Sequence, residues 1–158
     1  MLLSPFAGAA ENSQAVMNRF SRWNGFSALE GNYRNYLASR KSFQELMDEG
    51  HRAYERGDAR AAELSFLSAL AQQPSDFAPY YYLGLLSYDQ KNYQRAESYY
   101  RESLGREGDK ALVNYALGVN AAAAGRTNAA VEFLRQAAAL DPPRYRTRVE
   151  DLLRRIRG

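Results

Sequence analysis

Three glycines recur in this chain at an interval of 34 residues, and three alanines recur at the same interval. The glycines are Gly50, Gly84 and Gly118, and the alanines are Ala62, Ala96 and Ala130. A fixed period of this length is the sequence signature of stacked helical hairpins. Arrays of that kind usually present a curved surface to another protein rather than carrying out chemistry. The period therefore constrains both the fold and the class of function.

Aligned on the glycines, the chain divides without a gap into three units, residues 43–76, 77–110 and 111–144. Small residues allow two helices to approach closely, and large apolar residues fill the space beside them. Glycine can take the left-handed conformation that ends a helix. Each unit is therefore predicted to be a helix, a short turn and a second helix. The further columns are Phe66, Tyr100 and Leu134 (large), Ala69, Ser103 and Ala137 (small), Gly57, Lys91 and Gly125 (turn), and Pro74, Gly108 and Pro142 (end of unit).

These columns resemble the tetratricopeptide repeat (TPR) family over residues 43–144. The middle unit is the most similar, through Tyr80, Tyr81, Tyr82, Leu83, Gly84, Ala96 and Leu104. The first unit departs from the family pattern, with Glu49 where the family prefers leucine and Ala53 where it prefers tyrosine. The resemblance implies an all-α fold, a right-handed superhelix (α-solenoid) of antiparallel helix hairpins with a concave groove.

In that family the first helix of each unit lines the groove, so the resemblance implies a set of groove residues by position. An apolar, tyrosine-bearing groove suits an amphipathic helix or an extended apolar segment of a protein partner. Family members that hold a C-terminal carboxylate use Lys, Arg and Asn at the inner positions, and this chain does not, so no such clamp is expected. The implied groove residues are Met47, His51, Tyr54, Tyr81, Leu85, Tyr88, Tyr115 and Val119, with Glu55 and Asp89 at one end and Ala122 and Ala123 at the other.

The groove has two alternative occupants, the chain's own N-terminal segment and a second copy of the chain. The chain's own segment would occlude the groove. A second copy, stacked end to end or filling the groove with its N-terminus, would make the protein a structural self-assembly unit or homo-oligomer instead of an adaptor, assembly factor or small chaperone. Within the tyrosine-rich middle unit, Tyr80 and Tyr100 are predicted to lie in the core. Tyr82 is predicted to contact a neighbouring hairpin.

The two ends of the chain are predicted to be helical. Residues 1–42 are expected to form a divergent hairpin stacked on the first unit, with a degenerate repeat or a mobile arm as alternatives. In the last segment, Val149, Leu152, Leu153 and Ile156 recur at the spacing of an amphipathic helix. Residues 145–158 are therefore predicted to cap the solenoid and cover its last apolar face.

The composition argues against catalysis and against cofactor or metal binding. The chain has no cysteine and one histidine, so cysteine-based sites and histidine clusters are not available. Its 21 basic and 18 acidic side chains give no basic stripe of the kind that tracks phosphates. No apolar run approaches the length of a membrane span. We expect a protein or peptide partner, with no enzyme activity, no cofactor, no metal and no nucleic acid.

The N-terminal sequence leaves the compartment open between two expectations. Met1 to Phe6 is too short for the apolar core of a signal peptide and has no basic start, which favours a cytoplasmic protein. Ala7, Gly8 and Ala9 would instead form a plausible cleavage site if a longer signal peptide preceded them. In that case the chain would be a periplasmic factor for envelope or secretion assembly.

Overall fold

A computed structural model describes residues 40–157, except for the side chain of Arg157. Within this range the chain forms seven helices and no strand, so the fold is an all-α solenoid. The helices are α1 (Phe43–Glu55), α2 (Ala59–Gln72), α3 (Ala78–Asp89), α4 (Tyr93–Leu104), α5 (Lys110–Ala123), α6 (Thr127–Leu140) and α7 (Pro142–Arg157). The hairpin predicted for residues 1–42 falls almost wholly outside the described residues. None of the described helices is long and apolar enough to cross a membrane.

The helices pack as three hairpins, α1–α2, α3–α4 and α5–α6, with α7 against α6. Successive hairpins meet through α2–α3 and α4–α5. The apolar clusters extend across these boundaries: Leu83 and Leu86 of the second hairpin lie in the core of the first. Tyr145 and Val149 of α7 likewise complete the core of the third. No hairpin buries its apolar face alone, which is the physical reason that the units stack.

The 34-residue glycine column exists because each glycine faces the large residue of the second helix in its own hairpin. A Cβ built on Gly50 would lie 2.5 Å from Phe66, and one built on Gly84 would lie 2.6 Å from Tyr100. At Gly118 the same atom would lie 2.6 Å from Leu134. Phe66, Tyr100 and Leu134 are at most 1% exposed. The glycine and large columns therefore repeat together as the two sides of one contact.

The turn inside each hairpin is closed by the same pair of backbone hydrogen bonds. In the first, the N–H of Gly57 donates to the carbonyl of Tyr54 and the N–H of Asp58 donates to that of Ala53, both at 2.9 Å. This is a Schellman motif, which needs a left-handed residue after the helix. Gly57 supplies it with φ 75°, and the equivalent bonds form in the second and third hairpins.

The residue that closes each first helix also begins the second one. The Asp58 side chain accepts a hydrogen bond from the N–H of Ala61 at 3.0 Å, and the Asn92 side chain accepts one from Arg95 at 3.2 Å. These are N-cap bonds, which satisfy an otherwise unpaired N–H in the first turn of a helix. Arg126, the equivalent residue of the third hairpin, makes no such bond.

Lys91 occupies the left-handed position of the second turn with φ 59°, where the other two hairpins have glycine. A residue with a Cβ is strained there by about 1–2 kcal/mol. We expect Lys91→Gly to raise the free energy of unfolding by about 0.5–1 kcal/mol, because relief of strain exceeds the added chain entropy of glycine. Urea unfolding followed by circular dichroism measures it. Gly125→Lys, the reverse change in the third turn, should destabilise, and an equal response of the two variants would contradict the explanation.

The junctions between units depend on side chains rather than on a backbone motif. Arg106 donates through Nε to the carbonyl of Pro74 at 2.8 Å and through Nη2 to the hydroxyl of Tyr80 at 2.6 Å. Its guanidinium also lies 3.7 Å from the centre of the Tyr80 ring, a cation–π contact. Tyr80 is therefore only partly buried beneath an arginine, instead of lying in the core as predicted. Tyr100 is in the core, as predicted.

The last helix begins at Pro142, three residues before the predicted start of the capping segment. Proline was expected to end the third unit, but it is also well suited to the first position of a helix, where no N–H is needed. Asp141 precedes it, and its side chain accepts a hydrogen bond from the N–H of Arg144 at 3.3 Å. The proline therefore ends one helix and begins the next.

Glu97 of α4 should make stability depend on pH. A hydrogen bond from Arg126 (2.5 Å) lowers the pKa of Glu97, and a second one from Arg101 lowers it further. Burial raises this pKa by less, so it stays below its ordinary value of 4.5. A carboxylate with a lowered pKa stabilises the fold at pH values above its pKa in the unfolded chain. This contribution disappears as pH falls through the folded pKa. We expect Glu97→Gln to lower Tm at neutral pH, and we expect this difference from the wild type to shrink as pH falls below 4.5 and through the folded pKa. Exposed Glu132→Gln should show no such convergence, and a parallel pair of Tm curves for Glu97→Gln would contradict the assignment.

Candidate functional site

The first helices of the hairpins, α1, α3 and α5, carry the residues implied for the groove. Helices α3 and α5 contact each other directly. Helices α1 and α3 are joined by a hydrogen bond of 2.6 Å that the hydroxyl of Tyr54 donates to Oδ2 of Asp89. The expected residues on these helices, apart from Met47, are partly buried. They are His51, Tyr54, Tyr81, Leu85, Tyr88, Tyr115 and Val119.

Met47 differs from that expectation because it is only 4% exposed and belongs to the core cluster that contains Phe66. His51 is also tied to this cluster. Its ring centre lies 4.3 Å from that of Tyr82 and 5.6 Å from that of Phe66. Its buried Nε2 has no hydrogen-bond partner among the described residues. The α1 end of the groove therefore offers less apolar surface than position alone implied. Tyr82, which stacks on Phe66 at 5.1 Å, contacts the neighbouring hairpin as predicted.

Apart from Tyr54, the groove tyrosines each rest against another aromatic ring. Tyr81 lies 5.9 Å from Tyr100, and Tyr88 lies 5.9 Å from Tyr93. The third, Tyr115, lies 5.0 Å from Tyr145 of α7. Rings that are supported in this way lose little side-chain freedom when a partner binds, which favours affinity. These tyrosines therefore form a semi-rigid aromatic surface across α3 and α5.

The hydroxyls of Tyr54 and Tyr81 keep their protons, and each can both donate and accept hydrogen bonds. Burial raises the pKa of Tyr81 to about 12. Burial also raises the pKa of Tyr54, and the hydrogen bond to Asp89 and its negative charge raise it further. The Tyr54 hydroxyl consequently keeps its proton and remains a donor to the Asp89 carboxylate.

A recess opens at the edge of the groove where α1 and α3 end. Its volume is about 450 Å³, and it combines two carboxylates and a tyrosine hydroxyl with an apolar floor. Position in the repeat implied Glu55 and Asp89 for this end of the groove, but not the apolar floor or Gln90. The signal was present, because Tyr54 and Glu55 recur 34 residues later as Tyr88 and Asp89. The lining residues are Tyr54, Glu55, Gly57, Ala59, Leu86, Asp89 and Gln90.

Within residues 40–157, no three His, Asp or Glu side chains converge in a way that could hold a metal ion. The groove itself presents aromatic surface, hydroxyls and carboxylates.

A tetratricopeptide repeat family model matches residues 47–111 and 88–145, which together span more than half of the chain. The chain belongs to the tetratricopeptide repeat family. The hairpins are TPR units, and this family consists of protein-interaction scaffolds, so the array is a protein-interaction module.

Among solved structures, the Arabidopsis OM64 TPR domain is similar to this TPR protein. The two are 17% identical with a TM-score of 0.65, and the match covers 72% of this chain and 94% of that one. At this identity the similarity concerns the fold alone. No curated protein is significantly similar to the chain in sequence.

Proposed function

We propose that this TPR module is an adaptor, assembly factor or small chaperone that holds an apolar or amphipathic segment of a protein partner in the groove of α1, α3 and α5. The observation that carries the proposal is the aromatic surface of Tyr81, Tyr88 and Tyr115. Tyrosine offers a large apolar face and a hydroxyl that remains hydrated, the combination found at the centres of interfaces. The module has no catalytic role in this proposal.

Leu85 and Val119 support the same proposal from the positions between the tyrosines. Both are partly buried on helices whose opposite sides form the core, so their remaining surface faces away from it. A groove with alternating tyrosine and aliphatic residues fits the i, i+3 and i+4 anchors of an amphipathic helix. We do not expect the groove to hold a C-terminal carboxylate, because its inner positions have Leu85 and tyrosines rather than Lys, Arg and Asn.

The test is a paired capture of partners from the native host, identified by mass spectrometry. One bait is the intact chain, and the other carries Tyr81→Ala, Tyr88→Ala and Tyr115→Ala together. Because Tyr81 and Tyr115 also touch core aromatics, both baits must first show the same helical circular dichroism and remain folded at the capture temperature. A protein recovered with the intact bait and lost with the variant supports the proposal.

The matched control removes apolar surface elsewhere. Leu64 and Leu67 of α2 are 59% and 39% exposed, so Leu64→Ala with Leu67→Ala removes apolar area outside the groove. This control should recover the same proteins as the intact bait. Equal recovery by all three baits, or recovery of the chain alone, would show that the groove is not the working surface.

A further inference from the structure

The recess between the ends of α1 and α3 has the chemistry of a site for a positively charged side chain. Glu55 and Asp89 both line it, and neither forms an ion pair with a basic residue in the described part of the chain. No Lys or Arg is among its lining residues, although Arg56 and Lys91 follow closely in sequence. Elsewhere in the array, the carboxylates of Glu63, Glu97 and Asp109 are each paired with an arginine.

One further feature favours a cation in this recess. The helix ends do not decide the sign of the field there, because α1 and α3 end at the recess while α2 begins at Ala59. The Tyr54 hydroxyl fixes Asp89 through its 2.6 Å hydrogen bond, leaving Oδ1 for a second donor. The acceptor is thereby held in place before any partner arrives.

The floor of the recess matches the stem of the same kind of side chain. Leu86, which is 5% exposed, and the partly buried Ala59 contribute apolar atoms to the lining, and Gly57 contributes no side chain at all. Arginine and lysine bury their methylene stems on apolar surface while the charged head reaches a polar partner. The guanidinium of arginine also presents several donors in one plane, which suits two carboxylates better than a single ammonium does.

We propose that the partner segment held by the tyrosine groove carries an arginine or lysine whose head is bound between Glu55 and Asp89, with its stem on Leu86. This inference rests on the proposed function, since the recess adjoins the groove. It sets where the segment lies along the groove, with its basic residue at the α1–α3 edge and its apolar anchors along α3 and α5.

The test begins with selection of binders to the intact chain from a displayed library of random linear peptides. A common basic residue at a fixed distance from apolar anchors is the expected pattern. One selected peptide is then synthesised with its basic residue and with glutamine in that place. Affinities of both are measured by fluorescence anisotropy for the wild type and for Glu55→Gln with Asp89→Asn. A matched control, Glu132→Gln with Glu150→Gln, removes the same charge from α6 and α7.

For the wild type and the control, the glutamine peptide should bind about tenfold more weakly, the range expected for loss of a charged hydrogen bond. For the recess variant, the two peptides should bind alike. Apolar anchors without a common basic residue, or an undiminished difference in the recess variant, would overturn this inference while leaving the groove intact. The selected peptides are also measured against the variant with Tyr81→Ala, Tyr88→Ala and Tyr115→Ala. Binding to that variant as tight as to the wild type would overturn the proposed function as well.

Discussion

Replacing Tyr100 with alanine is expected to lower the free energy of unfolding by about 3–5 kcal/mol. The ring is 1% exposed and packs in the cluster that contains Ala96, Val113 and Leu117, so it joins the second hairpin to the third. Its other side lies on Gly84, which has no side chain to move into the space. A cavity therefore remains, and its cost adds to the lost burial. Chemical unfolding followed by circular dichroism gives the value.

The neighbouring Tyr99 provides the control on the same helix. It is partly buried, with the guanidinium of Arg95 5.5 Å from its ring centre, so its loss should cost about 1 kcal/mol. Similar losses of stability for Tyr99→Ala and Tyr100→Ala would show that the contact between Tyr100 and Gly84 does not hold the hairpin together.

Gly84→Ala is expected to destabilise the protein by about 1–3 kcal/mol, the range for overpacking in a filled core. The sign is informative, because Gly→Ala inside a helix ordinarily stabilises by about 1 kcal/mol. Here the new Cβ would lie 2.6 Å from both Cδ1 and Cε1 of Tyr100. The fully buried ring has no space in which to retreat. Thermal and urea unfolding of the variant measure the difference.

Gly105 at the end of α4 offers the matched substitution without the contact. Its φ is −70°, and an added Cβ would meet only backbone oxygens at 3.6 and 3.7 Å. Gly105→Ala should therefore be stabilising by about 0.4–1 kcal/mol through a less flexible unfolded chain. If Gly84→Ala also stabilised the protein, the tight packing of Tyr100 on Gly84 would be contradicted.

The sequence was sufficient for the fold because the period translates directly into geometry. Positions 34 residues apart occupy equivalent places in successive hairpins, so the columns of Gly84 and Tyr100 predict hairpins that stack. The first residue of the last helix was harder to predict from the sequence, since Pro142 follows one helix and starts another. A proline carries the same local signal in both roles.

The groove was predicted less completely, and the reason lies in contacts between units. Position in the repeat identifies the side that a residue faces, but not whether neighbouring side chains cover it. The burial of Met47 was therefore not predicted. The bond from Tyr54 to Asp89 joins residues 35 apart in sequence, and it depends on the angle between two hairpins. The repeat pattern contains no direct information on that angle.

Asp58 and Asn92 each close one helix and cap the next, so the turns inside these two hairpins contain no spare residue. A turn without a spare residue behaves as a fixed spacer that sets the rotational phase of the second helix. One residue inserted in α2 ahead of Phe66 would rotate its ring by about 100° away from Gly50. A change in length should therefore be more disruptive in the turns inside the hairpins than in the loop between α4 and α5, where Glu107 is exposed and offers a place to insert a label or a second domain.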